Sequence, residues 1–154
     1  MSEKVFVLQG NMPGAIRSDE DMLLIDKDAA AFEPLSKAYS MPKDDPDYAE
    51  TMRAVTIEAA KAPLEMMRYC ALSVDLISRI LEKCSKLMIS DAGCAAIAAK
   101  AALECASLNV FVNTRTLKGD EEADRMAKEA EDLLAEYAPK AQETADEVFA
   151  RLRA

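Results

Sequence analysis

From Ala92 to Ala106 the chain carries so little side-chain bulk (Ala92, Gly93, Ala95, Ala96, Ala98, Ala99, Ala101, Ala102, Ala106) that one element and one location suit it. Alanine is the strongest helix former, and a helix this thin lets neighbouring backbones approach closely. It belongs at the centre of a helical bundle. Ser90 reads as its N-cap, and Asp91 sits at the positive end of the helix dipole. The helix ends in Asn109 and Asn113. Asn suits a buried apolar helix face poorly, so these two call for a polar partner, either a neighbouring helix or a ligand.

With 4 glycines in 154 residues and few β-branched or aromatic side chains, the preference for helix extends to nearly everything after the first twenty residues or so. The chain is expected to form one all-α domain, a bundle of about five helices around the Ala-rich one. Residues 1–17 differ. Val5 and Val7 alternate, then Gly10, Asn11, Pro13 and Gly14 supply turn signals, so an extended or disordered lead-in is expected, followed by a domain over 18–154. Helices are expected over 19–39 with a kink at Pro34, over 47–61, over 64–83 after a break or kink at Pro63, onward from Ser90, and over 121–151 with a bend at Pro139. Met67, Cys70, Val74, Ile77 and Leu81 recur at helical spacing as one core stripe, and Met126, Leu133, Tyr137 and Val148 as another. Lys118-Gly119-Asp120 reads as a C-cap and turn.

The net charge of −9, with Lys and Arg dispersed among acids, repels phosphates and anionic lipids, so neither nucleic acid nor a membrane surface is an expected partner. The chain has no histidine. That removes His-based zinc sites and Ser-His-Asp or Cys-His catalysis; no metal is expected, and proton transfer falls to a carboxylate, Lys, Tyr or Cys. Cys70, Cys84, Cys94 and Cys105 lack C-x-x-C spacing and read as reduced thiols behaving as small hydrophobes. The N-terminus offers no apolar run long enough for a signal peptide or membrane span, so a cytoplasmic location is expected.

On the first helix, Leu24, Asp28, Phe32, Leu35 and Tyr39 trace a core stripe that puts a carboxyl where an apolar residue is expected, while Asp26 points away. A carboxyl among apolar neighbours has its charged form disfavoured, which makes it usable for proton exchange near neutral pH. The structural alternative is an acid hydrogen-bonded to a helix terminus or an arginine. For Ser90 and Asp91 the alternatives are a simple helix cap or a cap in a cleft that binds an anionic group.

Leu24-Ile25-Asp26-Lys27-Asp28-Ala29-Ala30-Ala31-Phe32, Met41-Pro42-Lys43, Ala62-Pro63-Leu64, Ser90-Asp91-Ala92-Gly93 and Leu108-Asn109-Val110-Phe111-Val112-Asn113-Thr114 together resemble the cyclodeaminase/cyclohydrolase family. The resemblance implies a dimer-forming helical-bundle enzyme of one-carbon folate metabolism, acting on 5,10-methenyl- or 5-formiminotetrahydrofolate without a further cofactor. It maps the family's catalytic Asp onto Asp28, and folate-cleft residues onto Ser90, Asp91, Asn109 and Asn113. The family's N-terminal helices and Gly-rich loop have no clear counterpart in the roughly twenty residues before this segment, where Met12-Pro13-Gly14-Ala15 is a faint echo, and Ser85 stands at a family Asn. A chain shortened in this way has an alternative role as a non-catalytic helical binding or oligomerisation module.

Overall fold

Four α-helices occupy residues 19–154, the part of the chain that the computed structural model describes, with side chains from residue 26 onward. They are α1 (Asp19–Ala38), α2 (Tyr48–Leu81), α3 (Ile89–Thr114) and α4 (Glu121–Arg153), with a 3-10 turn, Arg115–Leu117, after α3. The described residues contain no strand. The lead-in over 1–17 and its faint loop echo lie outside the described residues.

The count is four helices rather than about five because α2 runs through Pro63 without a break. An internal proline forfeits one backbone hydrogen bond and costs roughly 3 kcal/mol. Here its ring is among the fully buried side chains, and apolar residues on both sides of it pack into one core, so tertiary burial outweighs the local penalty. Pro34 and Pro139 likewise lie inside continuous helices.

α3 packs along α2 on one side and α4 on the other, as the small-residue argument requires. Arg53–Asp120, Arg68–Glu129 and Asp75–Lys140 link α2 to α4 in ascending order, so these two helices run parallel and α3 runs antiparallel to both. The main core joins Ile57, Leu64, Met67 and Cys70 of α2 to Leu103, Ala106 and Val110 of α3 and Met126 of α4. Met67, Val74, Leu103 and Val110 are fully buried. Burial pushes the Cys70 thiol up to about 11, which keeps it protonated. Cys84 is half-buried against the cluster of Leu81, Ile89, Ala92 and Val148, whereas Cys94 and Cys105 are exposed, so two of the four thiols pack as small hydrophobes.

At Gly93, α3 lies close against α4. A Cβ there would sit 2.7 Å from Cγ1 of Val148 and 3.2 Å from its Cβ. Gly93→Ala should gain about 1 kcal/mol of helix propensity. The clash with a stiff β-branched side chain should cost about 1–3 kcal/mol. The expected result is net destabilisation in urea denaturation, turning to stabilisation in a Val148→Ala background. Gain in the wild-type background would show that α4 yields freely at Val148.

α1 packs chiefly along α2. Its buried edge consists of Leu35 and Ala38 with Ala31 half-buried, whereas Asp28 is exposed and Phe32 and Tyr39 are 63% and 61% exposed. The contact edge is rotated by about 60° from the expected stripe. A helix resting on one neighbour buries only a narrow edge, and here small residues supply it, leaving both aromatics on the flank.

The turn before α4 forms as expected. Gly119 takes φ +92°, and the Asp120 carboxylate accepts from the backbone N–H groups of Glu122 at 3.0 Å and Ala123 at 3.1 Å. Arg53, 2.5 Å away, together with the Ala123 N–H, holds the Asp120 carboxyl below its ordinary value of 3.8. A depressed folded-state value means that this stabilisation is fully present above pH 3.8 and is lost as pH falls through the lower, folded value. Asp120→Asn, which keeps a capping oxygen, should lower Tm at neutral pH while flattening the acid end of the Tm–pH curve; an unchanged acid slope would assign that slope to other carboxylates.

Candidate functional site

Asp28 lies on α1 beside Lys27, whose ammonium pairs with Glu65 of α2 at 3.5 Å. That pair places this stretch of α1 against the middle of α2. The side chain is exposed, so Asp28 is not the acid buried among apolar neighbours that the stripe implies. The exposed Phe32 follows one turn along the same flank.

Ser90 is not the N-cap. α3 begins at Ile89 with Met88 in the cap position, which puts Ser90 and Asp91 inside the first turn. The turn Lys86–Met88 precedes it, with the Met88 N–H donating to the Ser85 carbonyl at 3.0 Å, and this carries the chain into the helix early without a capping side chain. Asp91 still occupies the positive end of the dipole, and both side chains are exposed.

Among the described residues, Asn109 and Asn113 make their side-chain hydrogen bonds within their own helix. Asn109 is exposed and Asn113 half-buried. Each donates its amide to the backbone carbonyl four residues earlier, Asn109 to Cys105 at 3.3 Å and Asn113 to Asn109 at 3.0 Å. These back-bonds satisfy one donor apiece and leave each side-chain carbonyl available as an acceptor.

Asp91 and Asn113 stand at opposite ends of α3, about 33 Å apart along its axis. One chain therefore presents Ser90 and Asp91 as one place and the two asparagines as another, with Asp28 on a third element. A shallow cleft of about 240 Å³ between the end of α2 and α4 contains none of these residues. Its polar groups answer one another: Ser78 and Thr144 hydroxyls lie 3.0 Å apart, and Arg151 donates to the Leu81 carbonyl at 3.2 Å and pairs with Glu147.

The face of α3 opposite its core was missed by the sequence reading. Cys94, Ile97, Ala98, Ala101, Cys105, Leu108 and Val112 are all exposed, and at about 100° per residue they form one straight stripe. Asn109 flanks it. The signal was available in the sequence, since α3 is apolar all round rather than on one side, and among the described residues 89–117 is the one helical stretch long and apolar enough to cross a bilayer.

The family profile described as formiminotransferase-cyclodeaminase matches residues 13–132, a span that takes in Asp28, Ser90, Asp91, Asn109 and Asn113. A methenyltetrahydrofolate cyclohydrolase of Methylorubrum extorquens (strain ATCC 14718 / DSM 1338 / JCM 2805 / NCIMB 9133 / AM1) is 38% identical over 118 residues, covering 73% of this chain. The match covers 56% of that relative, so the chain spans little more than half the length of the curated protein it resembles.

Proposed function

Because the chain belongs to the formiminotransferase-cyclodeaminase family, we propose that it acts in one-carbon folate chemistry, hydrolysing 5,10-methenyltetrahydrofolate to 10-formyltetrahydrofolate, with ring closure of 5-formiminotetrahydrofolate as the related reaction of the same site. The observation that carries this reading is the 38% identity to a protein named as a methenyltetrahydrofolate cyclohydrolase over 73% of this chain, beside a family match over 13–132 that holds all five candidate residues.

The chemistry needs a group that takes up and returns a proton. Water adds to the electrophilic carbon between N5 and N10, and Asp28 accepts its proton as the C–O bond forms. The tetrahedral intermediate then collapses: the C–N5 bond breaks, Asp28 returns its proton to N5, and the remaining hydroxyl proton leaves to solvent as the formyl carbonyl forms. In the deaminating direction N10 attacks the formimino carbon, and the same carboxyl delivers a proton to the departing amine. The exposed Phe32 ring, one turn from Asp28, offers an apolar face against which a flat heterocycle can lie. Ser90 and Asp91 at one end of α3, and Asn109 and Asn113 at the other, offer donors and acceptors for polar edges of a folate, but within one chain the two pairs are too far apart to hold the same molecule.

A second reading, a non-catalytic helical module, is favoured by the separation of these residues within one chain and by the open apolar face of α3. The deciding experiment follows the absorbance of 5,10-methenyltetrahydrofolate with purified protein against its spontaneous hydrolysis, and then repeats the comparison with 5-formiminotetrahydrofolate. Acceleration of either supports the enzyme. Folded protein that accelerates neither favours the non-catalytic module.

A further inference from the structure

We propose that Glu65 is a positioning residue for Asp28: it holds the Lys27 ammonium on the α2 side of α1 and so leaves the Asp28 carboxylate without a cation beside it. This deepens the proposed function and rests on Asp28 being its proton carrier. Lys27 stands between two acids, Asp26 and Asp28. Leu23, Leu24, Ala30 and Ala31, its neighbours at the spacings that pair side chains on a helix, carry no charge, so on its own helix the acids beside it are those two. Instead it pairs across to α2, where its ammonium lies 3.5 Å from Glu65. Lys27 falls in line with Ala31, Leu35 and Ala38, the edge by which α1 rests on α2, while Asp28 is about 100° further round the helix.

Glu65 is available for this because the cation on its own helix is taken. Arg68, one turn along α2, forks onto Glu129 of α4 with contacts of 2.6 and 2.8 Å. One turn the other way, Glu58 and Lys61 pair with each other. The charges around this stretch of α1 are thereby shared out across three helices: Glu129 with Arg68, Glu65 with Lys27, and Asp26 and Asp28 in no ion pair among the described residues. Tyr69, the remaining titratable group of α2 at this level, carries no charge at neutral pH.

The chemical consequence follows from the flexibility of lysine. An ammonium on a four-carbon stem that lost Glu65 would turn to the acids on either side of it. Beside Asp28 it would favour the carboxylate over the acid and make it a weaker acceptor for the proton of the attacking water. Glu65 keeps that from happening without itself touching the folate.

The test is a double-mutant cycle of Lys27→Met and Glu65→Gln, read at low ionic strength on the pH profile of kcat/KM for 5,10-methenyltetrahydrofolate. In the wild-type background Lys27→Met should move the acid limb of the profile by less than about 0.2 pH unit, because the ammonium is already engaged. In the Glu65→Gln background the same change should move the limb upward by about half a unit, the effect of one solvent-screened charge a few ångströms away. Equal shifts in the two backgrounds would overturn the proposal, since Lys27 would then act on Asp28 to the same extent whether or not Glu65 holds it. The same cycle can be read without turnover, from the pH titration of the Asp28 carboxyl carbon by NMR. Unequal shifts there, in protein that converts neither folate, would count against the folate reading and leave the charge arrangement standing. Active enzyme with equal shifts would do the reverse.

Discussion

Asp28→Asn is expected to lower turnover of 5,10-methenyltetrahydrofolate by about 10²–10⁴-fold, the range for removing a positioned acid–base group. The structure makes this variant unusually informative. Asp28 is exposed, so the substitution should change stability by less than about 0.5 kcal/mol. Loss of rate with an unchanged Tm then assigns the effect to chemistry. Retention of wild-type turnover would remove Asp28 from the mechanism.

The largest loss of stability is expected from Leu103→Ala. Leu103 is fully buried at the meeting of α2, α3 and α4, packed with Met67, Val110 and Met126 and with the small residues Ala106 and Ala130. Deleting such a side chain costs about 2–5 kcal/mol, the larger values arising where the site cannot collapse. Alanine neighbours have no rotamers with which to fill the void, so the upper half of the range is expected, against a total of about 5–15 kcal/mol for a domain. A fall of about 10 °C in Tm is the corresponding calorimetric result. A loss below 1 kcal/mol would mean that the three helices close the gap by sliding.

The helices were legible because period and caps are local properties. Leu35 and the Met67–Leu81 stripe, Asp120 at the start of α4 and the central place of α3 follow from spacing and side-chain size alone. The errors share a physical origin. Periodicity fixes the angle between residues on one helix but says nothing of which neighbour the helix meets, so Asp28, Phe32 and Tyr39 were assigned to a core that lies to one side of them. Pro63 was read as a break or kink between two helices because its local cost is visible in sequence, whereas the burial that keeps α2 continuous belongs to the tertiary structure. Ser90 lost the cap to a backbone turn that no side chain announces. The asparagines were right in demanding explanation, but their donors turn back onto their own helix, and their neighbours on the stripe face outward.

α1 rests chiefly on one neighbour, whereas α3 is gripped by two, and in native-state hydrogen exchange that asymmetry becomes a hierarchy of opening. Amides around Met67, Leu103 and Met126 should exchange only with global unfolding, while those of residues 26–38 open at a lower free energy. The carboxyl proposed for proton transfer would then be borne by the less anchored part of the bundle. A bound folate analogue should therefore register first as slowed exchange in α1, well before it raises the stability of the bundle beneath.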